Sequence, residues 1–210
     1  ADPVALPQSQ DASYFLDLQT RTGWGQTLAG FAAWCFPQAG WRTLDVGCGP
    51  GLLPALFSRA GCWAVGADLD AGMFQPAPLH TCVVQADGLH LPFPGEAFDL
   101  VTASNLLFLL DQPEPVLLEL RRVLCAAGRI CLLNPSEHMS VTAATRLADA
   151  RGLSGLARET LLNYAWRAEI HARWDTQQLA SLLAAAGLKL ERSDLRMGEG
   201  LARLACALRV

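Results

Sequence analysis

The segment Leu44-Asp45-Val46-Gly47-Cys48-Gly49-Pro50-Gly51 sets the tightest limit on what this chain can fold into. It follows a β-rich run and precedes a helical one, so its glycines sit at a strand-to-helix turn. Glycine there removes the Cβ atoms that would keep a ligand off the backbone and admits the positive φ angles of a tight turn. A nucleotide-type ligand suits such a loop. A dinucleotide fingerprint, however, needs a glycine or alanine at the position held by Leu52. Asp45, at the strand end feeding the loop, would repel a pyrophosphate and attract an ammonium group. The loop therefore asks for a cationic ligand.

The pattern around the loop is one of alternation. Strands are expected near Thr43–Val46, Trp63–Asp68, Cys82–Gln85, Leu100–Ser104 and Arg129–Leu133, with helical runs between them. That order predicts a parallel sheet with helices on both faces. Before the first strand, residues 1–10 read as a mobile tail, and two helices follow from about Asp11. The second has an apolar face of Trp24, Leu28, Phe31, Ala32 and Cys35 and ends near Pro37. Asp111 is placed to cap a helix with Pro113 in its first turn. Residues 137–172 form a mainly helical insertion, expected above the sheet as part of a lid. A last helix starts at Asp175, with Gln178 set for a capping box, and stops at Gly187. Strands over 188–193 and 201–208 should close the sheet as a hairpin.

With 210 residues, 51% hydrophobic and 17% charged, the chain suits one compact domain. Its expected parts are an N-terminal helical segment (1–40), a ligand-binding core (41–135), a helical lid (136–174) and a C-terminal helix and β-hairpin (175–210).

The motif from Asp45 to Gly51 resembles motif I of class I S-adenosylmethionine-dependent methyltransferases, an acid followed by spaced glycines. The resemblance implies an α/β, Rossmann-like, doubly wound sheet of seven mostly parallel strands with a terminal antiparallel strand. It implies S-adenosylmethionine as cofactor, S-adenosylhomocysteine as product, and Asp45, Gly47, Cys48, Gly49 and Gly51 around the methionine end. The family's next acid, at the end of the second strand, is matched by Asp68 in Gly66-Ala67-Asp68-Leu69. By resemblance Asp68 takes the ribose hydroxyls, while Leu69 and Met73 lie against adenine. Gln85-Ala86-Asp87-Gly88 is similar to the adenine-reading turn, with Asp87 accepting from the amino group and the Gly88 amide donating to the ring. Ser104 and Asn105, at the end of the fourth strand, complete the cofactor set. Leu91-Pro92-Phe93-Pro94 and Ala97-Phe98-Asp99-Leu100-Val101 look most like the methyltransferase type 11 subfamily that includes ubiquinone and menaquinone biosynthesis enzymes. Each element also has a plainer reading: the glycines as a turn, Asp68 as a helix cap, Asp87 as a turn former bonding its own backbone.

Displacement at a sulfonium depends chiefly on alignment, and a base is needed only if the acceptor must lose a proton. His138, His171, Tyr14 and Tyr164 are the candidate bases, although each also fits a surface or packing role. Tyr14, Phe15, Trp24, Trp166 and Trp174 are candidates for an apolar acceptor pocket, or simply core. A small-molecule methyltransferase is the leading expectation. A protein or RNA methyltransferase would want a basic groove or recognition domain, and the formal net charge of −4 without a Lys or Arg run offers neither. An NAD-dependent oxidoreductase conflicts with Asp45 and Leu52, and a non-catalytic cofactor-binding protein stays open. Seven cysteines without a Cys-x-x-Cys pair read as buried, reduced thiols, and the four histidines make no metal-ligand spacing. Neither a metal, a nucleic acid partner nor membrane insertion is expected, and the location is expected to be cytoplasmic.

Overall fold

The computed structural model describes residues 12–74 and 81–210, so the expected tail at 1–10 lies outside the described residues. Two helices open the chain, α1 (Ala12–Arg21) and α2 (Gly23–Trp34). Thr22 separates them: its side chain accepts from the Trp24 amide and caps α2. Their approach is close because residue 25 is glycine; a Cβ there would run into the carbonyl oxygen of Gln19.

Seven strands follow: β1 (Arg42–Val46), β2 (Trp63–Asp68), β3 (Cys82–Gln85), β4 (Phe98–Ser104), β5 (Leu124–Pro135), β6 (Leu188–Arg196) and β7 (Ala202–Arg209). They form one sheet in the order β3-β2-β1-β4-β5-β7-β6. Strands β1 to β5 are parallel, and β7 runs antiparallel between β5 and β6. Between strands lie α3 (Leu52–Arg59), α4 (Glu114–Val123), α5 (Val141–Ala150), α6 (Gly155–Ile170) and α7 (Thr176–Ala185). The sequence reading of a doubly wound sheet closed by an antiparallel strand describes this architecture.

Both faces of the sheet are covered, so successive strand residues enter opposite cores. Ile130 and Leu132 of β5 pack with Leu117, Leu120 and Leu183 from α4 and α7. Their neighbours Cys131 and Leu133 join Phe31 and Phe57 from α2 and α3 on the other side. Burial on both faces is why β5 reads as a continuous apolar run from Ile130 to Leu133 rather than an alternating one. A third, smaller cluster around Met139, Ala144, Ala148, Leu161, Ala165 and Ala168 holds α5 against α6.

The local signals fared unevenly. Asp175 and Gln178 do make the capping box of α7, and Gly187 leaves it with φ 69°. Asp111 does not cap α4; the helix starts at Glu114, with Pro113 in the cap position and no side-chain cap bond. Proline fixes the φ angle that a helix entry needs, so the helix starts there without a side-chain cap. All seven cysteines are free, but Cys82 is exposed and Cys125 half-buried, against the expectation of uniformly buried thiols.

Candidate active site

The strand order reverses between β1, which leads outward to β2 and β3, and β4, which starts the other half of the sheet. Loops leaving the two strands diverge there and open a crevice beyond their carboxyl ends. A cavity of about 510 Å³ occupies that crevice.

Its floor is built by backbone bonds that bind the glycine loop to β2. The amides of Gly47 and Cys48 both donate to the Ala67 carbonyl, at 2.8 and 3.1 Å. The Gly49 amide donates to Asp68 Oδ2 at 2.8 Å, and Asp68 Oδ1 accepts from the Asp70 amide at 3.0 Å. Gly47 and Gly49 hold φ angles of 72° and 52°, which leave the loop's inner surface without side chains. Asp45 is 2% exposed, and its Oδ1 accepts from the Thr102 hydroxyl of β4 at 2.7 Å. Burial pushes the Asp45 carboxyl up to about 7; the Thr102 bond opposes this and the nearby Asp68 charge adds to it. Burial, with Asp45 and Asp68 beside it, also pushes the Cys48 thiol up, which removes it as a nucleophile.

Further along the sheet edge, Leu69, Met73, Ala86, Asp87 and Gly88 line the cavity. Asp87 Oδ1 accepts from the Leu89 amide at 2.9 Å, so its turn-forming role is realised in a residue that also faces the cavity. At the end of β4, Asn105 adopts φ 55°, a left-handed conformation that Asn tolerates better than most side chains. Its Nδ2 donates to Ser104 Oγ, and its Oδ1 accepts from the Tyr164 hydroxyl at 2.7 Å.

Helices α1, α2 and α6 supply the roof. Tyr164 of α6 stands between Trp24 and Phe108, with edge-on ring contacts of 5.3 and 5.8 Å. Burial holds its phenol far above the usual range, and its proton is engaged by Asn105. Gln19 of α1 reaches toward Gly49, and its buried Oε1 finds no hydrogen-bond partner among the described residues. Asp45, Asp68 and Asp87 thus converge on one space together with an unsatisfied acceptor. This donor-hungry floor fits a ligand carrying an ammonium group and hydroxyls.

A family model described as a methyltransferase domain matches residues 44–132. The demethylmenaquinone methyltransferase of Thermobifida fusca (strain YX) is 32% identical over 164 residues, covering 71% of this chain and 69% of that protein. The chain belongs to the S-adenosylmethionine-dependent methyltransferases. The demethylmenaquinone methyltransferase of Clavibacter sepedonicus, 32% identical over 176 residues, covers 77% of this methyltransferase and 71% of its own length. The chain thus spans about seven-tenths of these relatives. Among solved structures, magnesium protoporphyrin IX methyltransferase from Synechocystis PCC 6803 with bound S-adenosylhomocysteine superposes with a TM-score of 0.66 at 18% identity, covering 98% of this chain and 90% of that one. A methyltransferase from Aquifex aeolicus gives 0.66 at 17%, covering 96% and 100%. Both share its fold.

Of the cofactor residues expected from sequence, this methyltransferase brings Asp45, Gly47, Cys48, Gly49, Asp68, Leu69, Met73, Asp87, Gly88, Ser104 and Asn105 to the cavity. Gly51 is not in its wall. A Cβ there would lie 2.6 Å from Thr81 Oγ1, and the residue, at φ 93°, shapes the loop from behind. Tyr14 and Tyr164 line the cavity; His138 and His171 do not. His138 lies beside Glu137 at 3.5 Å, and His171 packs edge-on against Phe108. Tyr14, Phe15 and Trp24 supply aromatic wall, whereas Trp166 is partly exposed and Trp174 packs on the main core. Sequence reasoning missed Gln19, Phe108, Asp111, Thr160, Asn163 and Arg167, all in the wall.

Proposed function

We propose that this methyltransferase acts on a small-molecule acceptor bound between the sheet edge and the roof of α1, α2 and α6. The observation that carries this reading is the two-sided cavity: an acidic, glycine-lined floor facing an aromatic roof in a single space. S-adenosylmethionine supplies an electrophilic methyl group on a positively charged sulfur. The chain's own residues position and desolvate. Asp45 and Gln19 would hold the ammonium end beside Gly47 and Gly49, and Asp68 the ribose hydroxyls. Leu69, Met73, Asp87 and Gly88 would hold the adenine. Trp24, Phe108 and Tyr164 would then exclude water from the acceptor, and alignment rather than a base would supply most of the acceleration.

The acceptor's size class is supported by the cavity's volume of about 510 Å³ and by the absence of any basic run in a chain of net charge −4. Demethylmenaquinone is the first acceptor to assay, because curated relatives act on it by name. No described helix is long and apolar enough to cross a membrane, and seven free thiols support a reducing, cytoplasmic setting.

Calorimetric titration with S-adenosylmethionine and, separately, NAD tests the site, repeated on Asp68→Ala. Binding of the methionine cofactor alone, weakened at least tenfold in the variant, supports the assignment. NAD binding, or unchanged affinity in the variant, overturns it. Methyl incorporation into a panel of small acceptors then tests the substrate class.

A further inference from the structure

Asp45 and Thr102 are register partners on the neighbouring parallel strands β1 and β4, near the carboxyl ends that open into the cavity. Register partners point to the same face of a sheet, so the hydroxyl meets the carboxylate directly, 2.7 Å from Oδ1. Both residues are buried. A hydroxyl has one proton to give, and two acceptors compete for this one: Asp45 Oδ1 at 2.7 Å and the Leu44 carbonyl at 3.4 Å. The nearer acceptor, charged when ionised, takes it.

Among the described residues that is the carboxylate's one side-chain bond. Oδ2 carries none and is not sealed in, and Asp45 lines the cavity. One oxygen is therefore held from behind and the other is left to a ligand. The titratable groups facing the carboxylate are Asp68 at the end of β2, whose charge opposes ionisation, and Cys48 of the loop, a neutral thiol. Tyr14 of α1, Asp87 beyond β3, Asp111, and Tyr164 and Arg167 of α6 line the same cavity. Burial also disfavours the charge, so of the groups in contact with Asp45 only Thr102 favours it.

We propose that Thr102 is a positioning residue for the cofactor: its hydroxyl fixes Asp45 Oδ1 and so keeps the carboxylate charged, with Oδ2 turned to the ligand's ammonium group. This rests on the cavity's assignment as the S-adenosylmethionine site. Thr102 is not in the cavity wall, so it acts through Asp45. When Asp45 is protonated, the hydroxyl can swing to the Leu44 carbonyl and accept from the acid, so protonation reverses the bond instead of breaking it. A bond to a charged acceptor is about twice as strong as a neutral one, so removing the hydroxyl costs the carboxylate more than the acid.

The probes are S-adenosylhomocysteine and methylthioadenosine, which share the adenosine and the sulfur, while only the first carries the ammonium group. Each is titrated by calorimetry into the full chain between about pH 5.5 and 7.5, as wild type, Thr102→Val and Thr102→Ser. Valine keeps the shape of the buried side chain and drops the hydroxyl. In Thr102→Val the pH below which S-adenosylhomocysteine affinity falls should rise by about one unit, leaving about a tenth of Asp45 charged at pH 7 instead of about half. Binding is then about fivefold weaker at pH 7 and about tenfold weaker at pH 6, while methylthioadenosine binds the two proteins equally. Thr102→Ser should restore the wild-type profile. Melting curves confirm that the variants are folded, and Thr102→Ala replaces the valine variant if that one is not. An unmoved profile in the folded hydroxyl-free variant, equal weakening of both probes, or a profile that serine fails to restore overturns the proposal. Failure of S-adenosylhomocysteine to bind the wild type would instead overturn the cofactor assignment on which it rests.

Discussion

Asp45 should make cofactor binding sensitive to pH just below neutrality. The carboxyl is buried, bonded to Thr102, and pushed up to about 7. A cofactor whose ammonium group binds only the carboxylate form finds about half the protein competent at pH 7 and about a tenth at pH 6, so affinity should fall nearly tenfold per pH unit below neutrality. Above about pH 7.8 the ammonium itself deprotonates, which places the optimum in a narrow band. Binding at pH 7 should also release about half a proton. Isothermal titration of S-adenosylmethionine from pH 5.5 to 7.5, in buffers of unequal ionisation enthalpy, measures both effects. Stability of the unliganded chain should run the other way. The raised pKa means the native state holds this proton more tightly than the unfolded chain, so its contribution is complete below the ordinary 3.8 and is lost as pH rises through about 7. Asp45→Asn should flatten both profiles. Affinity that is constant across the range in the wild type, or the same slope in Asp45→Asn, would refute the reasoning.

Alanine at two glycines of α2 should give opposite results. Gly25→Ala drives a Cβ into the Gln19 backbone and should push α1 off the cavity, lowering both melting temperature and cofactor affinity, whereas Gly30→Ala meets nothing within 4 Å and should stabilise by about 0.5–1 kcal/mol. Tyr164→Phe leaves Asn105 Oδ1 without its donor and should cost about 1–3 kcal/mol in urea denaturation. Loss of an alkaline limb from the pH–rate profile in that variant would show that Tyr164 ionises after all. Glu137→Ala removes the carboxylate that accepts from Arg203 Nη2 through both oxygens at 2.7 Å, while Nη1 keeps Thr176 and Ser193. With Glu137 31% exposed, the cost should be about 1 kcal/mol near neutral pH. Burial tends to raise the Glu137 carboxyl, but Arg203 holds it below its ordinary 4.5. The benefit therefore exists above that value and fades as pH falls through the native pKa, so denaturation at pH 7 and pH 3.5 should show the wild-type advantage shrinking.

The floor of the site could be read from the sequence because its determinants are local. Asp45, Gly47 and Gly49 fall within five consecutive positions, and Asp68 and Asp87 each follow a short β-rich run. Doubly covered β5 announces itself by the unbroken apolar stretch from Ile130 to Leu133. The roof depends on contacts between distant segments. Tyr164 meets Asn105 across 59 positions, and Asp45 meets Thr102 across 57, so neither the engaged phenol nor the raised carboxyl has a local signature. His138 and His171 attract notice by residue type alone, and the fold places both outside the cavity wall. The polar face of α6 did have a signal in its spacing of Thr160, Asn163, Tyr164 and Arg167, but apolar residues on the helix's other sides mask it: Leu161, Ala165 and Ala168 fill its own cluster with α5.

That cluster, completed by Met139 and Leu201, makes the α5–α6 pair a distinct piece of the molecule. Tyr164 ties it to the sheet edge through the bond to Asn105 and packs on Trp24 and Phe108. Such an arrangement lets inherited variation accumulate in one helical hairpin while the machinery that grips the methyl donor stays fixed. Divergence in acceptor choice among proteins built this way should be written mainly into residues 141–170, and a graft of that hairpin between relatives should carry substrate preference with it.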